Sequence, residues 1–149
     1  SKILRRICIL REKQELENNL QRTKEMLERT NQVARVGGWQ LDFPEQNIYW
    51  TSVTKEIHGL GQDYIPDLET GITFYKEGES REKITEAIDE CLKNGKPWDL
   101  ELQIVNKKGE EVWVRTIGNA SFDHGVCKRM YGTFQDIPVP SVKSAAVWV

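Results

Sequence analysis

Few side chains in this 149-residue chain have the type and spacing for chemistry. Its two histidines, His58 and His124, are the only imidazoles available as acid, base or ligand. Neither stands in a nucleophile or metal motif such as Gly-x-Ser-x-Gly or His-Glu-x-x-His. His58 falls on a short helical stretch before Gly59 and His124 in a hairpin tip, so both read as solvated surface histidines. Cys8, Cys91 and Cys127 are odd in number, far apart and in no Cys-x-x-Cys pair, which indicates neither a disulfide framework nor a zinc site. Cys91 lies on the apolar side of a helical pattern, where a small thiol serves as core. Gly95, Gly109 and Gly125 are isolated at helix ends and hairpins rather than clustered before a helix, so they are turn residues and not a phosphate loop. The chain therefore reads as non-enzymatic.

The elements that would position any such site divide at residue 36. Residues 1–36 contain no glycine or proline, while the remainder holds all 11 glycines and all five prolines. The first segment has nine Lys/Arg against five Glu, and the rest is acidic, although the whole chain carries only −2. So balanced a charge gives no global pull toward nucleic acid or anionic lipid. The basic start of the arm interleaves with glutamates and reads as a solvated helix face. Leu16, Leu20, Thr23, Leu27, Thr30 and Ala34 recur at alternating spacings of four and three, the seam of a coiled coil. Such a helix would run roughly 50 Å, against a radius of gyration of about 13 Å for a 100-residue body, so its stripe calls for a second chain. Leu16, Leu20, Leu27 and Ala34 are the expected homodimer contacts. Thr23 and Thr30 make the seam imperfect, which leaves a solitary charged surface helix as the alternative.

In the body, Gly37 and Gly38 should stop the first helix. Trp39, Leu41 and Phe43 then alternate with polar residues as a strand, and Asn47 to Thr51 forms its hairpin partner. Ser52 can cap a short helix through Lys55 to Leu60, and residues 61–78 read as turns and loops. Ile84, Ala87, Ile88, Cys91 and Leu92 fall on one helical face, with Ser80 as N-cap and Gly95 past the end. Three strands follow, Trp98 to Val105, Val112 to Phe122 and Val126 to Ile137, separated by Asn106–Gly109 and Asp123–Gly125, both hairpin chemistry. The order β-β-α-turns-α-β-β-β predicts an α+β fold, one five-stranded antiparallel sheet with short helices gathered on one face. Large residues at both parities, as in Trp113 and Val114, predict cover on the other face as well, from the N-terminal helix or a second subunit. Of the five tryptophans, Trp39, Trp50, Trp98 and Trp113 sit on strands as core, and Trp148 belongs to a tail over 138–149, either flexible or added to the natural chain.

Gly38-Trp39-Gln40-Leu41-Asp42, Trp50-Thr51-Ser52 leading to Gly59, Glu101 in a strand, Gly109 before Val112-Trp113-Val114, and Gly132-Thr133-Phe134-Gln135-Asp136-Ile137 together resemble a PAS domain with its C-terminal PAC half. The resemblance spans about residues 37–137. It implies a sheet that cups a small pocket under short helices, preceded by an amphipathic helix that joins dimers and passes signals. The sequence departs from the family at residues 74–80, which replace a His-Pro-x-Asp stretch, and at Pro138, which stands in place of Thr and disfavours a continuous helix beyond 137.

What the resemblance implies for function is a cytoplasmic sensory and dimerisation module of the kind found in bacterial and archaeal histidine kinases and cyclic-dinucleotide signalling proteins. Its partners would be a second copy through the N-terminal helix and an effector domain, with no nucleic acid and no direct membrane span. Haem is disfavoured because residues 79–95 hold no histidine, and a flavin adduct because residues 56–78 hold no cysteine. No cofactor is expected. The inward-facing candidates for the pocket are Trp50, Ile57, Ile72, Phe74, Ile84, Ile88, Leu102, Ile104, Val114 and Phe134. Their character suits a small apolar or aromatic ligand held mainly by burial. The alternative is a purely structural interaction module in which these residues fill the core and leave no void.

Overall fold

The computed structural model describes residues 1–140. The expected tail lies outside the described residues from 141 onward, Trp148 included. The chain forms two units, Ser1–Ala34 and the remainder. The first is a single helix, α1 (Lys2–Ala34), none of whose residues is buried. Leu16, Leu20 and Leu27 are each more than half exposed, and Ala34 is exposed as well. No helix among the described residues is long and apolar enough to cross a membrane.

The second unit runs β1 (Val36–Asp42), β2 (Asn47–Trp50), α2 (Ser52–Ile57), α3 (Leu68–Thr73), α4 (Glu79–Asn94), β3 (Trp98–Val105), β4 (Glu111–Asp123) and β5 (Val126–Asp136). The five strands form one antiparallel sheet in the order β2-β1-β5-β4-β3. The α+β class, the strand count and the long N-terminal helix agree with the sequence reading. Turn chemistry pins the register: His124 and Gly125 both take positive φ, 51° and 78°, as a two-residue hairpin turn needs. In the β3–β4 turn the Asn106 carboxamide oxygen accepts from the N–H groups of Lys108 and Glu110.

Several boundaries differ from expectation, each for a physical reason. Arg35, at φ 57°, ends α1 rather than the Gly37-Gly38 pair. Its guanidinium is held by Glu56 at 2.8 Å and Asp136 at 3.5 Å. The glycines lie inside β1, where a Cβ on Gly37 would run into Thr54 of α2. α2 starts after Thr51, with no side-chain cap, and stops at Ile57 instead of reaching Leu60. Gly78, not Ser80, is the N-cap of α4. The Ser80 hydroxyl instead accepts from the Gln103 N–H, and Lys76 N–H and Val105 N–H close a bridge between Tyr75 and Ile104, so residues 74–80 cover part of the β3 edge. The stretch read as turns contains α3, too short for its periodicity to register.

Pairing sorts the strand residues onto two faces. One carries the row Trp39, Gly132, Gly118, Trp98, then Gly37, Phe134, Thr116, Leu100, and further along Val114 with Leu102 and Val112 with Ile104. This face meets α2 and α4 and forms the core. The other carries polar Gln40, Asn119 and an Arg115–Asp99 pair joined by two hydrogen bonds of 2.8 and 2.6 Å, beside half-buried Trp113 and Ile117 and exposed Tyr131.

Candidate functional site

Two glycines in mid-strand create the floor of the site. A Cβ on Gly118 would enter the Trp98 ring, and one on Gly132 would strike the Ile117 carbonyl. With no side chains between them, Trp39 and Trp98 lean across the row and stack at 5.6 Å between ring centroids with planes 17° apart. The Trp98 indole N–H donates to the Thr116 hydroxyl at 3.3 Å. Tyr75 is buried beside the same hydroxyl, and burial pushes its phenol up to about 12, so it stays neutral.

The roof begins with α2, anchored to β1 at three points. The Gly38 N–H donates to the Thr51 hydroxyl at 2.8 Å, the Thr51 N–H donates to the Gly38 carbonyl at 3.0 Å, and the Thr54 hydroxyl donates to the same carbonyl at 2.9 Å. At its end the His58 carbonyl accepts from the Lys107 N–H in the β3–β4 turn. His58 is thereby fixed inside the molecule. This corrects the surface reading, because only 2% of its area is exposed. Its ring lies between Trp50, at 4.4 Å and 22°, and Phe134, at 4.7 Å and 15°, with Phe74 against an edge at 4.8 Å and 67°. Nδ1 is 2.7 Å from the Thr54 carbonyl. A carbonyl only accepts, so Nδ1 carries the hydrogen and Nε2 has a free lone pair. Desolvation lowers the imidazole from 6.5 to about 4, opposed by that backbone bond, which keeps it neutral near pH 7. His124 by contrast is exposed, as expected.

Between floor and roof lies a cavity of about 90 Å3. Of the expected lining residues, Trp50, Ile72, Ile84, Ile88 and Phe134 border it. Phe74 stands behind His58 and Trp50. Ile57, Leu102, Ile104 and Val114 do not border it: they are 4% exposed or less and pack in filled core. The residues that sequence reasoning missed include His58, Trp39, Trp98, Tyr75, Thr116 and Met130. Mid-strand Gly118 and Gly132 were the available signal for the tryptophan pair, but only the register reveals which residues they face. Asp67, Leu68 and Gly71 of the α3 segment complete the wall. Asp67 is its only formally charged side chain, and no cysteine, lysine or arginine lines it. Cys91 is fully buried away from it, and Cys127 is buried too. No cluster of metal-ligating side chains occurs among the described residues.

The fold recurs in known proteins. The sensor protein FixL of Bradyrhizobium diazoefficiens is 24% identical over 103 residues, which is 68% of this chain and 20% of FixL, so the chain spans about one fifth of that relative's length. A sensory box histidine kinase/response regulator from Burkholderia thailandensis superposes with a TM-score of 0.65 at 20% identity, covering 81% of this chain and 91% of that one. The N-terminal domain of a diguanylate cyclase with PAS/PAC sensor from Marinobacter aquaeolei gives 0.60 at 16% identity, covering 68% of this chain and 94% of that one. Residues 47–134, more than half the chain, match the family described as the PAS fold. With the sheet order, the cupped helices and that match in agreement, the chain belongs to the PAS-fold family.

Proposed function

We propose that this domain is the input module of a cytoplasmic signalling protein, taking a small ligand into the cavity under α2–α4 and passing the resulting change to a second copy and to an effector domain. The observation that carries this reading is the cavity itself, about 90 Å3 of space walled chiefly by apolar and aromatic side chains and containing one buried, neutral imidazole. The relatives' names attach the fold to histidine kinase and diguanylate cyclase, and an effector of that class is part of the proposal. Its work is binding and relay rather than catalysis. The competing structural module draws on the filled core at Ile57, Leu102, Ile104 and Val114, where the sequence suggested a pocket.

Native mass spectrometry of protein purified without denaturant separates the two. A retained small molecule, or saturable binding of small neutral fragments at millimolar concentration, is the expected result. A protein that retains nothing and binds nothing is the structural module.

The dimer is proposed through α1, whose leucines at 16, 20 and 27 are exposed in the single chain. Light scattering should give twice the chain mass, and Leu20→Asp with Leu27→Asp should return it to the monomer by placing charges in an apolar seam. An unchanged mass would assign the contact elsewhere.

A further inference from the structure

His58 is placed as a recognition group rather than as filler. Both faces of its ring are covered, by Trp50 and Phe134, one edge meets Phe74, and Nδ1 donates to the Thr54 carbonyl at 2.7 Å. What remains is the edge bearing Nε2, for which no protein partner occurs among the described residues, in a residue that borders the cavity. No buried side-chain nitrogen or oxygen among the described residues lacks a partner, so Nε2 is not sealed in protein but opens onto the cavity, where a donor can reach its lone pair. Two other polar groups on the wall are already engaged, since the Thr54 hydroxyl donates to the Gly38 carbonyl and the Trp98 indole to Thr116.

We infer that the cavity selects a small, flat, uncharged molecule of about five heavy atoms that donates one N–H or O–H to His58 Nε2. Three observations set this class, and all rest on the ligand-binding reading above. Size comes first: an apolar cavity of about 150 Å3 holds benzene and a water occupies about 30 Å3, so 90 Å3 suits a five-membered ring. Shape follows from the imidazole lone pair, which lies in the ring plane, and that plane is flanked by the near-parallel Trp50 and Phe134 rings. Charge is decided by the wall, which offers no cation to an anion and to a cation only the Asp67 carboxylate, itself exposed to water, so either ion would be desolvated without full compensation. The neutral imidazole supports the same choice, because it accepts rather than donates at Nε2.

Pyrrole and furan make the test, being nearly equal in size and shape while only pyrrole carries an N–H. Titration of each into the full chain, followed by ligand-detected NMR, should give pyrrole at least tenfold tighter than furan in the native protein and equal affinities in His58→Phe. Equal affinities in the native protein would overturn the donor assignment while leaving a ligand-binding cavity. Saturable binding of neither would overturn the assignment and the cavity reading together. Should His58→Phe fail to fold, the native protein still decides through the ring nitrogens in long-range nitrogen–proton NMR. The assignment requires the Nδ1–H tautomer and an Nε2 resonance that moves on adding pyrrole and not on adding furan. An Nε2–H tautomer overturns it.

Discussion

Two parts of the same sheet face are built from equally apolar residues and end differently. Toward the β3–β4 turn, Val114 pairs with Leu102 and Val112 with Ile104, and three of these four are 3% exposed or less. Four residues along, the row Trp39, Gly132, Gly118, Trp98 leaves a cavity above it. Branched aliphatic side chains on adjacent strands mesh at van der Waals distance, whereas two large rings reaching over glycines touch each other and leave irregular space beside them. Hydrophobicity decides that a face is buried. Side-chain shape and register decide whether it is filled.

That contrast can be broken or sharpened by experiment. Ile104→Ala should carry the largest penalty, about 2 to 5 kcal/mol in chemical denaturation, because it opens a void in filled core. Ile88→Ala should cost less than half as much, since Ile88 already borders free space and is only half-buried. Equal losses would mean that the two regions are packed alike.

Acid should expose the difference next. The folded imidazole of His58 titrates near 4 against 6.5 in the open chain, so on acidification the unfolded state takes up its proton first. The contribution is fully present above about pH 6.5 and is lost as pH falls toward 4, amounting to about 3 kcal/mol at 1.36 kcal/mol per unit. His58→Phe should lose correspondingly less stability between pH 7 and 4, and parallel curves for the two proteins would refute the burial of a neutral ring.

Gly118→Ala should cost about 1 to 3 kcal/mol by overpacking against the Trp98 ring. Trp98→Phe in the same chain should recover part of that loss, because it removes the atoms the new methyl would meet. Additive losses in the double-mutant cycle would separate the glycine from the tryptophan. Smallest of all, Arg115→Ala on the opposite face should leave the melting temperature within experimental error, since its pair with Asp99 is exposed and screened by water.

Much of the fold was legible because it is written in local patterns. Alternation over Trp98–Val105, the Asn106–Gly109 and Asp123–Gly125 turns, and the helical face from Ile84 to Leu92 each depend on neighbours a few residues away, and each stands where the pattern placed it. Caps were less legible. Ser80 has the right chemistry for an N-cap, yet a strand 23 residues on competes for its hydroxyl. His58 was the least legible of all, since its six-residue helix is too short to show which side is buried, and its burial depends on Trp50, Phe74 and Phe134 from three other segments.

By itself the sequence determined the class of the fold, the order of the five strands, the long N-terminal helix and the mainly apolar character of the inner face. All follow from composition and periodicity, which are properties of the chain before it folds. Only the tertiary structure decided which inner residues close-pack and which border space, and that a histidine lies buried and neutral among aromatic rings. Those outcomes depend on register, on Gly118 and Gly132 standing between two tryptophans, and on the dielectric that surrounding side chains impose. None of these exists until distant segments meet.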